Sequence, residues 1–194
     1  MNFLAHLYLS GTDEEIIIGN FIADHVKGRA IQDFSKGIQE GIYLHREIDT
    51  FTDTHPLFIR SKERLMPKYR KYSGVITDMF YDHFLSANWD AYSDEPIDSF
   101  TRRMYRIVMR RFLILPAKTK YILPFMARDN WLKGYGTFEG LERALKGMDR
   151  RTPFDSGMGL AVTDLRQDYA AYRDEFMEFF PEIILHTNKL KKTA

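Results

Sequence analysis

The chain has 194 residues, 44% of them hydrophobic, which suits one globular domain with a substantial core. Its 28 basic and 27 acidic residues nearly cancel, so no global field draws it to nucleic acid or to an anionic membrane. Cysteine is absent, which excludes disulfides and zinc–thiolate centres, so any metal must be held by Asp, Glu, His or water.

The opening stretch from Met1 to Leu9 is apolar, but it is short and has no basic lead-in. No apolar run approaches the roughly 18 residues of a membrane span. A cytoplasmic protein without membrane or nucleic-acid partners is expected, with residues 1–194 forming one domain.

Helical periodicity then dominates. Thr12-Asp13-Glu14-Glu15 predicts a capping box with Thr12 as cap, opening a helix that carries Ile16 to His25 and ends before Gly28. A second helix is predicted over about 35–53, and a third begins at Pro56. A fourth covers about 74–89. Pro96 opens a fifth, which Pro116 breaks near its end. Further helices are expected over about 118–132, 138–147 and 160–180, with Pro181 kinking or ending the last. The segment 147–159 reads as a loop. No run of strands separated by turn signals occurs, so the fold class is all-α, a single-domain helical bundle.

The second helix carries His45, Asp49 and Asp53 at intervals of four, on one face with or beside Ile38, Ile42 and Ile48. Three polar groups therefore point where the apolar residues point. The fourth helix is apolar around nearly its whole circumference, the mark of a buried helix. It nevertheless holds Asp78 and Asp82 one turn apart. Two stacked carboxylates in an apolar setting repel and lose hydration, so one takes a proton or a cation sits between them. His83 projects away from Asp78 and can close one side of such a site. Asp24 ends the first long helix, one turn after Asn20 on the same face. Oxygen and imidazole donors without thiolate favour Mn²⁺, Mg²⁺ or Fe²⁺, with Zn²⁺ possible, and such a cation activates water and polarises a phosphoryl oxygen.

Structural alternatives exist for each residue. His45 can bond Asp49, Asp53 can cap the third helix, and Asp78 and Asp82 can pair with Arg46 or Arg70. His6 reads as a packed histidine, His55 as an exposed turn residue, and the aromatics from Tyr169 to Phe180 as core. Joint occurrence favours a site. The stretch from Thr101 to Arg128 contains no acidic residue, and Arg102, Arg103, Arg106 and Arg110 gather opposite the apolar face of its helix. They are candidates for docking an anionic partner.

Asn2-Phe3-Leu4-Ala5-His6-Leu7, Gly19-Asn20-Phe21-Ile22-Ala23-Asp24, His45-Arg46-Glu47-Ile48-Asp49, Thr52-Asp53 and Asp82-His83-Phe84-Leu85 resemble, in order and spacing, motifs of the acyl carrier protein phosphodiesterases. That family is a divergent branch of the HD phosphohydrolases. The resemblance implies an HD-phosphohydrolase-like helical fold and a divalent cation, typically Mn²⁺. It implies hydrolysis of holo acyl carrier protein to the apo protein and 4′-phosphopantetheine, a step of lipid metabolism. It also implies a site lined by Asp24, His45, Asp49, Asp53, Asp78, Asp82 and His83, with His6 as a further member; of these, all but Asp53 and His6 are the expected metal ligands. Ordinary HD enzymes carry adjacent His then Asp; Asp82-His83 reverses that order, so only membership of the site carries over. The competing readings are an HD-like hydrolase of a nucleotide or other small phosphoester, and a non-catalytic helical module binding an acidic protein.

Overall fold

The computed structural model describes residues 1–153 and 155–193. Among them are eleven α-helices joined by short 3-10 turns, and no strand. The all-α expectation holds. The helices are α1 (Phe3–Leu9), α2 (Glu14–Ile22), α3 (Lys36–Thr54), α4 (Pro56–Tyr69), α5 (Ser73–Ala87), α6 (Ile97–Arg110), α7 (Ala117–Arg128), α8 (Trp131–Gly134), α9 (Phe138–Asp149), α10 (Ala161–Gln167) and α11 (Tyr169–Thr193).

The core is one contiguous apolar cluster built around α5. Ile76, Phe80, Tyr81, Phe84 and Leu85 of that helix are fully buried, as its all-round apolar pattern predicts. Against it lies α11, whose Tyr172, Phe176, Phe179 and Phe180 are fully buried. Their rings meet edge-to-face, with Phe80 and Tyr172 centroids 5.1 Å apart and Tyr81 and Phe176 5.5 Å apart. Buried Glu175 on the same helix is held by Arg64 at 2.8 Å and by the Ser61 hydroxyl.

The closest helix pair is α2 with α3. A Cβ on Gly19 would lie 2.0 Å from the carbonyl oxygen of Ile38, and one on Gly41 would lie 2.3 Å from that of Ile16. Only glycine at both positions lets the two backbones touch. This contact carries the chemistry, because it seats Asn20 of α2 against His45 of α3.

Several local expectations are corrected. Helix α2 begins one residue later than predicted, so Asp13, not Thr12, is its cap, accepting from the amides of Glu15 and Ile16. The third helix is capped by His55, whose Nδ1 accepts from the Leu57 amide, and Asp53 takes no capping role. His55 is not a free turn residue: it is partly buried, with Nε2 3.2 Å from Glu182. The expected helix over 160–180 is two helices meeting at Asp168, because α10 packs on α9 while α11 packs on α3, α4 and α5. Pro181 does not end α11; buried Ile183 and Thr187 beyond it hold the helix to the core, and packing overrides the missing amide. The fifth helix ends at Arg110, before Pro116, which instead opens α7. The segment 147–159 is not wholly a loop, since α9 runs on to Asp149. Among the described residues, no helix is long and apolar enough to cross a membrane.

Candidate metal centre

Three donors converge from two helices. His6 of α1, His45 and Asp49 of α3 offer ligand atoms that all lie within 4.8 Å of one another. The two imidazoles are stacked, centroids 3.9 Å apart. Both are buried, while the Asp49 side chain is 40% exposed, so the cluster has a dry imidazole floor and an open carboxylate edge. Asp24, on the 3-10 turn after α2, stands at that edge with Oδ1 3.4 Å from His45 Nε2; Asp49 Oδ2 lies 3.2 Å from the same nitrogen.

The tautomer of His45 follows from its neighbours. Asn20 Nδ2 donates to the His6 carbonyl at 3.0 Å and to Ser10 Oγ at 2.9 Å, which fixes the amide orientation. Its Oδ1 and its own backbone oxygen both lie 2.9 Å from His45 Nδ1. Between two acceptors Nδ1 must carry a proton, so Nε2 is the nitrogen that faces Asp24 and Asp49 and the one that would give up its proton to a cation. A donor bond from the far nitrogen is the usual way a protein prepares a histidine ligand. Asn20 is thus part of the site. Sequence reading placed it only on the face shared with Asp24; its bonds run to residues 10 to 25 positions away and leave no local signal.

Electrostatics agree with an anionic pocket around a positive charge. Burial depresses His45, but the hydrogen bonds that its Nε2 donates to Asp24 and Asp49 outweigh it and lift its pKa to about 9. Burial, helped by the neighbouring charge on His45, pushes His6 down to about 4, so His6 is neutral, with its proton on Nε2 between the Met1 carbonyl and Asp49. Burial opposes ionisation of Asp49, yet hydrogen bonds from His45 and His6 hold it well below the usual carboxylate range. The α-amino group of Met1 lies 2.8 Å from Asp78 and 3.5 Å from Asp49, so a positive charge already bridges these two carboxylates. That amine, rather than Arg46 or Arg70, is the partner of Asp78.

The other expected residues lie further round. Asp53 is exposed, one turn beyond Asp49, and its charge is felt at Asp78. Asp82 is fully buried and accepts from the amides of Leu4 (2.8 Å) and Ala5 (3.1 Å), tying the start of α1 to α5. Burial, only partly offset by those bonds, raises its pKa to about 7. His83 is buried, donates from Nδ1 to the Tyr135 carbonyl at 2.8 Å and stacks on Phe138; its Nε2 has no partner among the described residues. Its contacts are with Tyr135 and the start of α9. On α6, Arg103 is clamped to Glu95 at 2.6 Å and Arg110 lies 3.5 Å from Glu14, whereas Arg102 and Arg106 are exposed and form no ion pair among the described residues.

The donor set fits a divalent cation, which would displace the proton from His45: two imidazoles, carboxylates, no thiolate, and a histidine whose Nε2 faces the carboxylates. Fold and site together define an all-α protein with a histidine–carboxylate centre suited to such an ion. The chain belongs to the acyl carrier protein phosphodiesterase family, whose model matches residues 1–183. It is similar to acyl carrier protein phosphodiesterases of Photorhabdus laumondii (35% identity over 93% of this chain and 92% of the relative) and of Enterobacter sp. (31%, 95% and 96%). A third, from Yersinia enterocolitica, is 30% identical over 95% of this chain and 96% of its own. No solved structure matches the chain.

Proposed function

We propose that this chain, working as one cytoplasmic domain, hydrolyses the phosphodiester joining 4′-phosphopantetheine to a serine of holo acyl carrier protein. The products are the apo carrier and 4′-phosphopantetheine. His6, His45 and Asp49 would hold a divalent cation, Mn²⁺ foremost and Mg²⁺ or Fe²⁺ as alternatives, with Asp24 completing the set. When bound, the cation supplies Lewis-acid polarisation of the phosphoryl oxygen and lowers the pKa of water. The chain's own residues do the rest. Asn20 keeps the proton on His45 Nδ1. Asp78 and Asp53 extend the negative rim, and Asp82 fixes α1 so that His6 reaches His45. His83 supports this by tying α5 to the Tyr135 carbonyl. Arg102 and Arg106 are available to steer an acidic carrier, with Arg103 and Arg110 beside them.

The observation that carries this reading is the His45 tautomer, locked by Asn20 with Nε2 facing two carboxylates. The test is reconstitution. Chelator-treated protein is incubated with holo carrier, with and without Mn²⁺, and release of 4′-phosphopantetheine is followed. Activity should disappear and return with the metal. His45→Ala and Asp49→Ala should lose bound metal and activity while keeping a helical circular dichroism spectrum. Full activity in metal-free protein contradicts the proposal.

A further inference from the structure

A cavity of about 450 Å³ lies beside the metal centre, within the roughly 300–1,000 Å³ usual for small-ligand pockets. Its wall is largely apolar: Phe3 and Met79 on one side, Phe125, Trp131, Ala144 and Met148 from α7, α8 and α9 on the other. Phe3 and Met79 belong to both neighbourhoods. Phe3 is one turn before His6 on α1, and Met79 follows Asp78 on α5. Met1 gives its carbonyl to His6 Nε2 at 3.1 Å, and Asn2 gives its amide to Met79 Sδ, so two residues bridge cluster and cavity. The two are consecutive, one Cα step of about 3.8 Å apart.

The charged groups of the cavity are three arginines and one carboxylate, Asp129, which Arg128 holds at 2.8 Å. Arg143, Arg150 and Arg151 line it and are exposed, and none forms an ion pair among the described residues. Arginine only donates. The cavity therefore suits an elongated ligand with an apolar end and acceptor oxygens along its length. We infer that this cavity takes the pantetheine arm of the carrier, with any acyl chain against Phe125, Trp131 and Met148 and the arm's amide carbonyls facing the arginines. This rests on the phosphodiesterase reading above. It makes the cavity a second subsite that selects among carriers by what hangs from the thiol.

Two glycines provide the test. A Cβ on Gly147 or Gly134, both lining the cavity, would meet nothing within 4 Å, and neither has positive φ. A side chain placed there starts from open space at the cavity wall. S-octanoyl-pantetheine is titrated into the full chain while tryptophan fluorescence is read; Trp131 lines the cavity, and Trp131→Phe identifies its share of the signal. Wild type should show a saturable change. Gly147→Phe, and independently Gly134→Leu, should weaken it about tenfold, the scale of an overfilled pocket. The same variants should raise KM for octanoyl carrier about tenfold, while turnover of a small generic phosphodiester stays as in wild type. No saturable change in wild type, or unaltered affinity and KM in both folded variants, overturns the inference even if holo carrier is cleaved. Binding of the thioester by a protein that does not cleave holo carrier upholds the cavity and refutes the phosphodiesterase reading instead.

Discussion

Replacing Asn20 by alanine separates positioning from ligation. Asn20 is 1% exposed and makes three side-chain hydrogen bonds: to His45 Nδ1 at 2.9 Å, to the His6 carbonyl at 3.0 Å and to Ser10 Oγ at 2.9 Å. At about 1 kcal/mol net for each bond, their loss sums to about 3 kcal/mol. Part is recovered, because the His6 carbonyl keeps the amide and hydroxyl of Ser10, and His45 Nδ1 keeps the Asn20 backbone oxygen. About 2 kcal/mol of destabilisation is therefore expected. Loss of an outer-shell partner typically costs 10- to 100-fold in metal affinity, and the remaining backbone acceptor points to about tenfold here. Urea unfolding gives the first number and calorimetric titration with Mn²⁺ the second. Ser10→Ala is the control, since it loosens Asn20 without touching His45 and should leave affinity within about threefold. Undiminished Mn²⁺ affinity in a destabilised Asn20→Ala protein refutes the orienting role.

Gly41→Ala should unfold at much lower temperature, by about 3 kcal/mol or more, because its Cβ would lie 2.3 Å from the Ile16 carbonyl and helices α2 and α3 must part; Mn²⁺ affinity should fall with stability in the same preparation. Glu175→Gln leaves Arg64 without its counter-charge in a largely buried site and should cost about 2 kcal/mol in urea unfolding, less than a fully enclosed pair because Arg64 is 26% exposed. Arg102→Glu with Arg106→Glu should lower kcat/KM on holo carrier and flatten its salt dependence, with no effect on a small phosphodiester; equal loss on both substrates would show that these arginines support the fold instead.

The elements that sequence makes legible are those governed by neighbours in the chain. The four-residue spacing of His45 and Asp49 on α3 places both on one face, and the apolar girth of α5 announces its burial. His6 is different. Alone it reads as a packed histidine, and only the folding of α1 over α3 brings its ring to 3.9 Å from His45. Asp82 and His83 are legible as buried polar residues, but their partners, the amides of Leu4 and Ala5 and the carbonyl of Tyr135, come from segments about 50 to 80 residues away. Gly19 and Gly41 carry no local signal either, because what demands glycine is the other helix. Pro181 misleads for the same reason: propensity is local, whereas the packing of Ile183 that overrides it is not.

Cleavage of a carrier-bound phosphodiester at the His6–His45–Asp49 centre, as proposed, is read out by intact mass spectrometry of the substrate. Purified protein is incubated with holo acyl carrier protein and Mn²⁺, beside a chelated control and the Asp49→Ala protein. Carrier mass should fall by that of the 4′-phosphopantetheine group only with wild type and metal. A carrier whose mass stays unchanged with metal-loaded wild type, or falls equally in the chelated control, contradicts it.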